Sequence, residues 1–294
     1  MPAVSRSLED LRMQVGTWRQ QGLSIAFVPT MGALHAGHLS LVTLAAQKAD
    51  RIVASIFVNP KQFAAHEDLD TYPRHEAQDL AKLAAAGCDL AFLPQATQMY
   101  PAGYTTAVTV ENLSTDLCGV SRPHFFGGVA TVVCKLLNQC QPDVAIFGEK
   151  DFQQLQVIKR MVRDLDMPVQ IEGGPIIREA DGLAMSSRNA YLTANERKSA
   201  GMLNVIMKNV ITKARAGDSV EMALRQARES LLQEGFDTVD YLEMRREDDL
   251  SLISIDRLKA AEMDQARLFA AAIIGKTRLI DNMPLAPHPD HSDL

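Results

Sequence analysis

Apolar positions along this chain follow two different patterns. Up to about residue 175, short apolar runs at 24–28, 51–58, 89–93, 143–147 and 168–172 alternate with helix-period segments at 39–48, 75–86, 128–139 and 152–164, after an amphipathic helix near 8–20. Runs of this length separated by helices predict parallel βαβ units, because a parallel connection must cross back over the sheet. Helices then cover both faces, so each strand is apolar throughout instead of alternating. Ligands of such sheets collect beyond the carboxyl ends of the strands.

Beyond residue 175 the pattern changes to long helical segments at 194–215 and 219–233, followed by strand-like 238–245, 266–274 and 277–281. This predicts a smaller α+β domain over 176–283, after an α/β domain over 1–175, with a junction at Ile176 to Asn189. The last stretch, 284–294, is rich in proline and histidine and is expected to be disordered; its histidines read as a solvated tail. The chain shows no internal repeat.

The most informative segment joins the first apolar run to the next helix: Val28-Pro29-Thr30-Met31-Gly32-Ala33-Leu34-His35-Ala36-Gly37-His38. A helix start offers backbone N–H groups without intrahelical partners and the positive end of the dipole, which together suit a triphosphate. His35 and His38 are three apart and can face one ligand. Gly37, lacking Cβ, lets a base or sugar approach the backbone. An isolated H-x-G-H is ordinarily an accident of a loop. Here neither G-x-x-x-x-G-K-[ST] nor G-x-G-x-x-G occurs anywhere in the chain, so these histidines are the best nucleotide anchor it has.

Three further segments follow strand-like runs or the junction. In Gly148-Glu149-Lys150-Asp151-Phe152-Gln153-Gln154, a lysine at a helix start opposes the dipole by about 0.3–1 kcal/mol, a cost that a phosphate counter-charge would offset. Asp151 is suited to cap that helix or to accept from ribose hydroxyls, and Gln154 lies one turn farther along. Met185-Ser186-Ser187-Arg188-Asn189 places two hydroxyls and a permanent cation in a junction loop, which suits phosphate oxygens, although alone it reads as a serine-rich turn. In Phe57-Val58-Asn59-Pro60-Lys61-Gln62-Phe63, the neutral amides of Asn59 and Gln62 suit a hydroxylated organic acid, and in isolation they read as turn formers.

Composition narrows the classes. The 294 residues, 47% hydrophobic and 22% charged, can bury a substantial core, and a net charge of −6 without a basic run disfavours a nucleic-acid surface. The start lacks the apolar core of a signal peptide and no segment has the length of a bilayer span, so a soluble cytoplasmic protein is expected. Cys88, Cys118, Cys134 and Cys140 show no C-x-x-C spacing and read as reduced packing residues.

Taken in order, these segments resemble the pantoate–β-alanine ligase (pantothenate synthetase) family of the H-x-G-H nucleotidyltransferases. The likeness rests on Pro29-Thr30-Met31-Gly32 with His35-Ala36-Gly37-His38, Phe57-Val58-Asn59-Pro60 with Gln62-Phe63, Gly148 to Gln154, Ser186-Ser187-Arg188-Asn189, and Arg278-Leu279-Ile280-Asp281-Asn282. H-x-G-H alone is shared by several families; the ordered set is specific. The resemblance implies a Rossmann-like domain and a Mg²⁺-dependent condensation of (R)-pantoate with β-alanine. ATP is consumed through a pantoyl adenylate, giving pantothenate, AMP and pyrophosphate on the way to coenzyme A. It also implies a homodimer.

By the same resemblance, ATP would contact Met31, Gly32, His35, Gly37, His38, Gly148, Glu149, Lys150, Asp151, Ile177, Met185, Ser186, Ser187 and Arg188. Pantoate would be held by Gln62 and Gln154. His38, as proton donor, would act with His35 and Lys150 in catalysis, and Mg²⁺ would be carried by the ATP phosphates instead of a protein metal site. Two positions depart from the family. Phe125 stands where relatives usually have histidine, with His124 one place earlier, so His124 is left outside the site; Lys61 replaces a common apolar residue. Competing readings are another adenylyltransferase of the superfamily, disfavoured by the neutral Gln62 and Gln154; a class I aminoacyl-tRNA synthetase, which would need a tRNA-binding extension; and a non-catalytic nucleotide sensor.

Overall fold

The computed structural model describes residues 1–64, 69–253 and 256–286. Most of the expected tail, with His288 and His291, lies outside the described residues. The chain forms two compact units, Met1–Glu149 with Gln153–Gly174, and the turn Lys150–Phe152 with the chain from Pro175 onward.

The first unit is built on six parallel strands: β1 (Ala3–Ser5), β2 (Ile25–Thr30), β3 (Arg51–Ile56), β4 (Leu90–Phe92), β5 (Val144–Gly148) and β6 (Gln170–Gly174), in the order β1-β4-β3-β2-β5-β6. Helices Leu8–Gln20, Ala36–Ala46, Glu76–Ala85, Phe125–Cys140 and Phe152–Asp164 intervene. Residues 25–28 of β2 are fully buried, as a central parallel strand requires. β2 pairs with β3 from Ile25↔Arg51 to Thr30↔Ile56 and with β5 at Ala26↔Val144 and Phe27↔Ala145. Strands β2 to β6 have the order of the mononucleotide-binding fold. The chain winds one way from β2 to β4 and the other way from β5 to β6, which makes the β2/β5 boundary the switch point where ligands bind. The edge strand β1 is not foreseen by the apolar pattern: it has three residues, the first two exposed, and exists through its pairing with β4.

The second unit has an antiparallel sheet of β7 (Thr238–Arg246), β8 (Ala266–Ile274) and β9 (Thr277–Pro284), with helices Ala194–Arg215 and Val220–Gln233. Leu203, Met207 and Leu231 share one core with Leu268, Ala270 and Leu279 of the sheet. Gly275, at φ +57°, supplies the positive φ that a two-residue hairpin needs between β8 and β9. Pro284 closes β9, and Leu285 is fully buried with its N–H bonded to Ala266. No helix among the described residues is long and apolar enough to cross a membrane.

Candidate active site

Three of the segments singled out in the sequence leave the carboxyl ends of adjacent strands: His35–His38 follows β2, Asn59–Gln62 follows β3, and Gly148 ends β5. The first is built around a pair of histidine caps. His35 is the N-cap of the helix Ala36–Ala46, and its Nδ1 accepts from the N–H of Gly37 at 3.2 Å. His38 Nδ1 accepts in turn from the N–H of His35 at 3.3 Å, completing a capping box in which imidazoles do the work of the usual hydroxyl and carboxamide. The rings stack tilted at 39° with centroids 4.1 Å apart. An Nδ1 that accepts must lack the proton in the neutral ring, so each histidine carries its proton on Nε2.

The loop leading to this helix is held from below. Asp79, on the helix Glu76–Ala85, is 1% exposed, and its carboxylate accepts from the N–H groups of Ala33 and Leu34, both at 2.9 Å. One turn along, Lys82 donates to the Leu34 carbonyl at 2.6 Å. Gly32 sits at φ +83°, where a Cβ would stand 3.1 Å from both Asp79 and Ile56. A positive φ and a close approach therefore both call for glycine here.

Gln62 lies beside this loop. Its Nε2 donates to the Met31 sulfur at 2.9 Å and its Oε1 accepts from Asn59 Nδ2 at 3.1 Å, so the expected pantoate residue and an expected ATP residue are in direct contact. Asn59 is 1% exposed; it also donates to the Gly128 carbonyl at 3.1 Å and accepts from the Tyr100 hydroxyl at 2.8 Å. Burial, and then the neighbouring Tyr104, push the Tyr100 phenol up, which keeps it a donor. Lys61 lies over the rings of Tyr100 and Tyr104, at 4.9 and 4.6 Å. Phe125 supports the Arg122 guanidinium at 3.9 Å, while His124 is exposed at the helix start. Gln154 is half-buried on the helix Phe152–Asp164, whereas its neighbour Gln153 is consumed by the bonds it makes to Leu113, Asp116 and Cys118.

In the second unit, Lys150 and Asp151 belong to a single 3-10 turn, with Lys150 Nζ 3.8 Å from the Asp151 carboxylate, at the outer limit of an ion pair. Ile177 and Met185 face each other across a small hairpin, the Met185 N–H donating to the Ile177 carbonyl at 3.0 Å. Ser186 caps the 3-10 turn Ser187–Tyr191 by accepting from the Arg188 N–H at 3.3 Å. The serine-rich turn is thus structural whatever else Ser187 and Arg188 do.

The sequence model of the Pantoate-beta-alanine ligase family matches residues 3–284 of this chain. The chain belongs to this family. As a pantoate–β-alanine ligase it is 54% identical to the pantothenate synthetase of Caulobacter vibrioides over 282 residues, 96% of this chain and 98% of the relative. It is also 54% identical to that of Paramagnetospirillum magneticum over 284 residues, 97% of this chain and 98% of the relative. Among solved structures it superposes on the pantothenate synthetase of Thermus thermophilus with a TM-score of 0.87 at 42% identity, covering 97% of this chain and 100% of the other. The pantoate-beta-alanine ligase of Francisella tularensis, solved with beta-gamma ATP and beta-alanine, gives 0.82 at 32% identity, covering 98% and 100%. Family membership displaces the readings as a different adenylyltransferase or a tRNA synthetase.

The geometry adds residues that the sequence did not single out. Asp79 looks from sequence like any acidic residue in a first helical turn, a placement the dipole favours by itself. Its bonds to the loop span 46 and 45 positions and have no local signature. Tyr100 and Gly128 likewise enter only through Asn59.

Proposed function

We propose that this pantoate–β-alanine ligase makes pantothenate in two steps driven by ATP. The pantoate carboxylate attacks the α-phosphorus, an O–P bond forms, the bond to pyrophosphate breaks, and pantoyl adenylate results. The β-alanine amine then attacks the activated acyl carbon, forming the amide as AMP leaves and an amine proton is released. No protein nucleophile is needed. Positioning and charge stabilisation carry the rate.

The observation that carries this reading is the placement of the H-x-G-H segment and Gly148 at the ends of β2 and β5, the switch point of the sheet. In this reading Met31, Gly32, His35, Gly37, His38, Gly148, Glu149, Lys150, Asp151, Ile177, Met185, Ser186, Ser187 and Arg188 contact ATP. His38 supplies a proton to the leaving phosphates, with His35 and Lys150 stabilising their charge. Gln62 and Gln154 hold pantoate through neutral hydrogen bonds. Magnesium enters with the nucleotide as MgATP. In this reading the ion is held by the oxygens of the nucleotide phosphates. The active form is a cytoplasmic homodimer.

The test is AMP and pyrophosphate release from MgATP and pantoate, with and without β-alanine, and identification of the organic product by mass. Pantothenate is expected only with all three substrates. ATP binding without turnover would instead identify a nucleotide sensor on this fold.

A further inference from the structure

The segment Arg278-Leu279-Ile280-Asp281-Asn282 forms most of β9; Asn282 bonds to the expected nucleotide residue Lys150, and Asp281 bonds to Arg178, the chain neighbour of Ile177. Asn282 is 2% exposed, and its Nδ2 donates to the Lys150 carbonyl at 3.0 Å. Its Oδ1 accepts from Arg267 Nη1 at 2.6 Å. These two partners fix the orientation of the amide. Arginine can only donate, so oxygen must face it; a carbonyl can only accept, so nitrogen must face Lys150. Arg267 is itself 1% exposed, is bonded through Nε to Glu247 at 2.8 Å, and lies over the Phe152 ring at 3.9 Å. The turn Lys150–Phe152 is therefore gripped twice, at its first carbonyl by Asn282 and at its last ring by Arg267. Asp281 makes a two-pronged pair with Arg178, at 2.6 and 2.9 Å, beside Ile177.

We infer that Asn282, anchored by Arg267, is a positioning residue for Lys150 in adenylate formation; the inference rests on the phosphate role proposed above for Lys150. A lysine head on four methylenes is only as well placed as its backbone, and misplacement by about 1 Å costs on the order of 100-fold in rate. A neutral, buried amide held by a fully buried guanidinium makes a rigid support for that backbone.

The discriminating variant is Asn282→Asp. It has the same shape and keeps an oxygen for Arg267, yet turns an oxygen toward the Lys150 carbonyl. The thermal midpoint is expected to fall, since two acceptors then oppose each other in a buried site, while single-turnover adenylate formation measured well below that midpoint falls ~10–100-fold and KM for ATP rises. Aminolysis of pre-formed pantoyl adenylate by β-alanine should be unchanged. Because the effect acts through Lys150, adding Asn282→Asp to Lys150→Ala should cost nothing further; a purely structural role would lower both backgrounds alike. Arg267→Lys, which keeps the charge but loses the planar stack and the fork, gives an independent second variant expected to shift adenylation the same way. Wild-type adenylation in Asn282→Asp, or equal losses with and without Lys150, would overturn the assignment. If the unmutated protein made no pantothenate, the functional reading itself would fail instead.

Discussion

On the proposed function His38 would have two tasks on one ring: its Nδ1 closes the cap of the helix Ala36–Ala46, and its Nε2 side would supply the proton. The two can be separated by mutation. His38→Gln places the preferred capping-box partner at the third helical position, so stability should be retained, while adenylate formation falls by about 10²–10⁴-fold, the usual contribution of a placed acid–base group. His38→Ala should lose the rate and also about 0.5–2 kcal/mol of cap. Single-turnover kinetics beside urea melts check both, and a His38→Gln variant with normal adenylation would remove the ring from the chemistry. Asp79 gives the converse case. Asp79→Ala leaves two N–H groups of the loop before His35 without their acceptor and should cost about 2–3 kcal/mol in denaturant unfolding. The histidines were legible in the sequence because their spacing and the strand before them are local. Asp79 was not, because its partners lie on another element.

Elements were legible where one periodicity dominates. β2, β3 and β5 are buried on both faces and read as apolar runs, and the helix Ala194–Arg215 announces itself with Thr193 and Glu196 as a capping box. Starts set by polar caps were harder to place. The helix Ala36–Ala46 begins three residues before its apolar pattern because its first turn is organised by His35 and His38. The helix Phe125–Cys140 begins early as well, through Phe125 and Phe126, and it carries a close approach that no periodicity reveals: a Cβ on Gly128 would lie 2.3 Å from the Lys61 carbonyl, whereas Gly127 has nothing within 4 Å. Gly128→Ala must therefore push the helix from the loop that carries Asn59 and Gln62, since backbone cannot swing aside as a side-chain end can. Pantoate KM is expected to rise about tenfold or more, as for a ligand group displaced by a fraction of an ångström. Gly127→Ala should leave KM alone and gain up to about 1 kcal/mol of helix stability. Equal kinetics for the two variants would detach this helix from pantoate binding.

At the scale of the whole chain, the two units should respond differently to pH. In the first unit, bonds from the Ser24 hydroxyl and amide hold Asp50 low, and the Arg6 pair holds Glu76 low. In the second, Arg197 holds Asp181 low, the Thr193 amide and hydroxyl hold Glu196 low, and Ser251 and Ser219 do the same for Asp249 and Asp256. A carboxyl depressed in the folded state stabilises above its unfolded value and loses that contribution as pH falls through the folded one. Both units should thus weaken below the ordinary values of 3.8 for aspartate and 4.5 for glutamate. These groups are largely exposed, so the acid limb should be shallow and weakened further by salt. On the alkaline side the sign reverses. Burial pushes the Cys140 thiol from an ordinary 9.0 up to about 12 and Cys88 up to about 11, so both stay protonated when folded and ionise once unfolded. Their contribution is complete below 9.0 and lost as pH rises through the folded values. Both thiols lie in the first unit. Calorimetry from pH 3 to 11 should therefore show two transitions that soften together in acid, while above pH 9 the transition of the first unit falls ahead of the other. Cys140→Ala, whatever it costs at neutral pH, should flatten that alkaline fall, and an alkaline limb of unchanged slope in this variant would assign the loss to other groups.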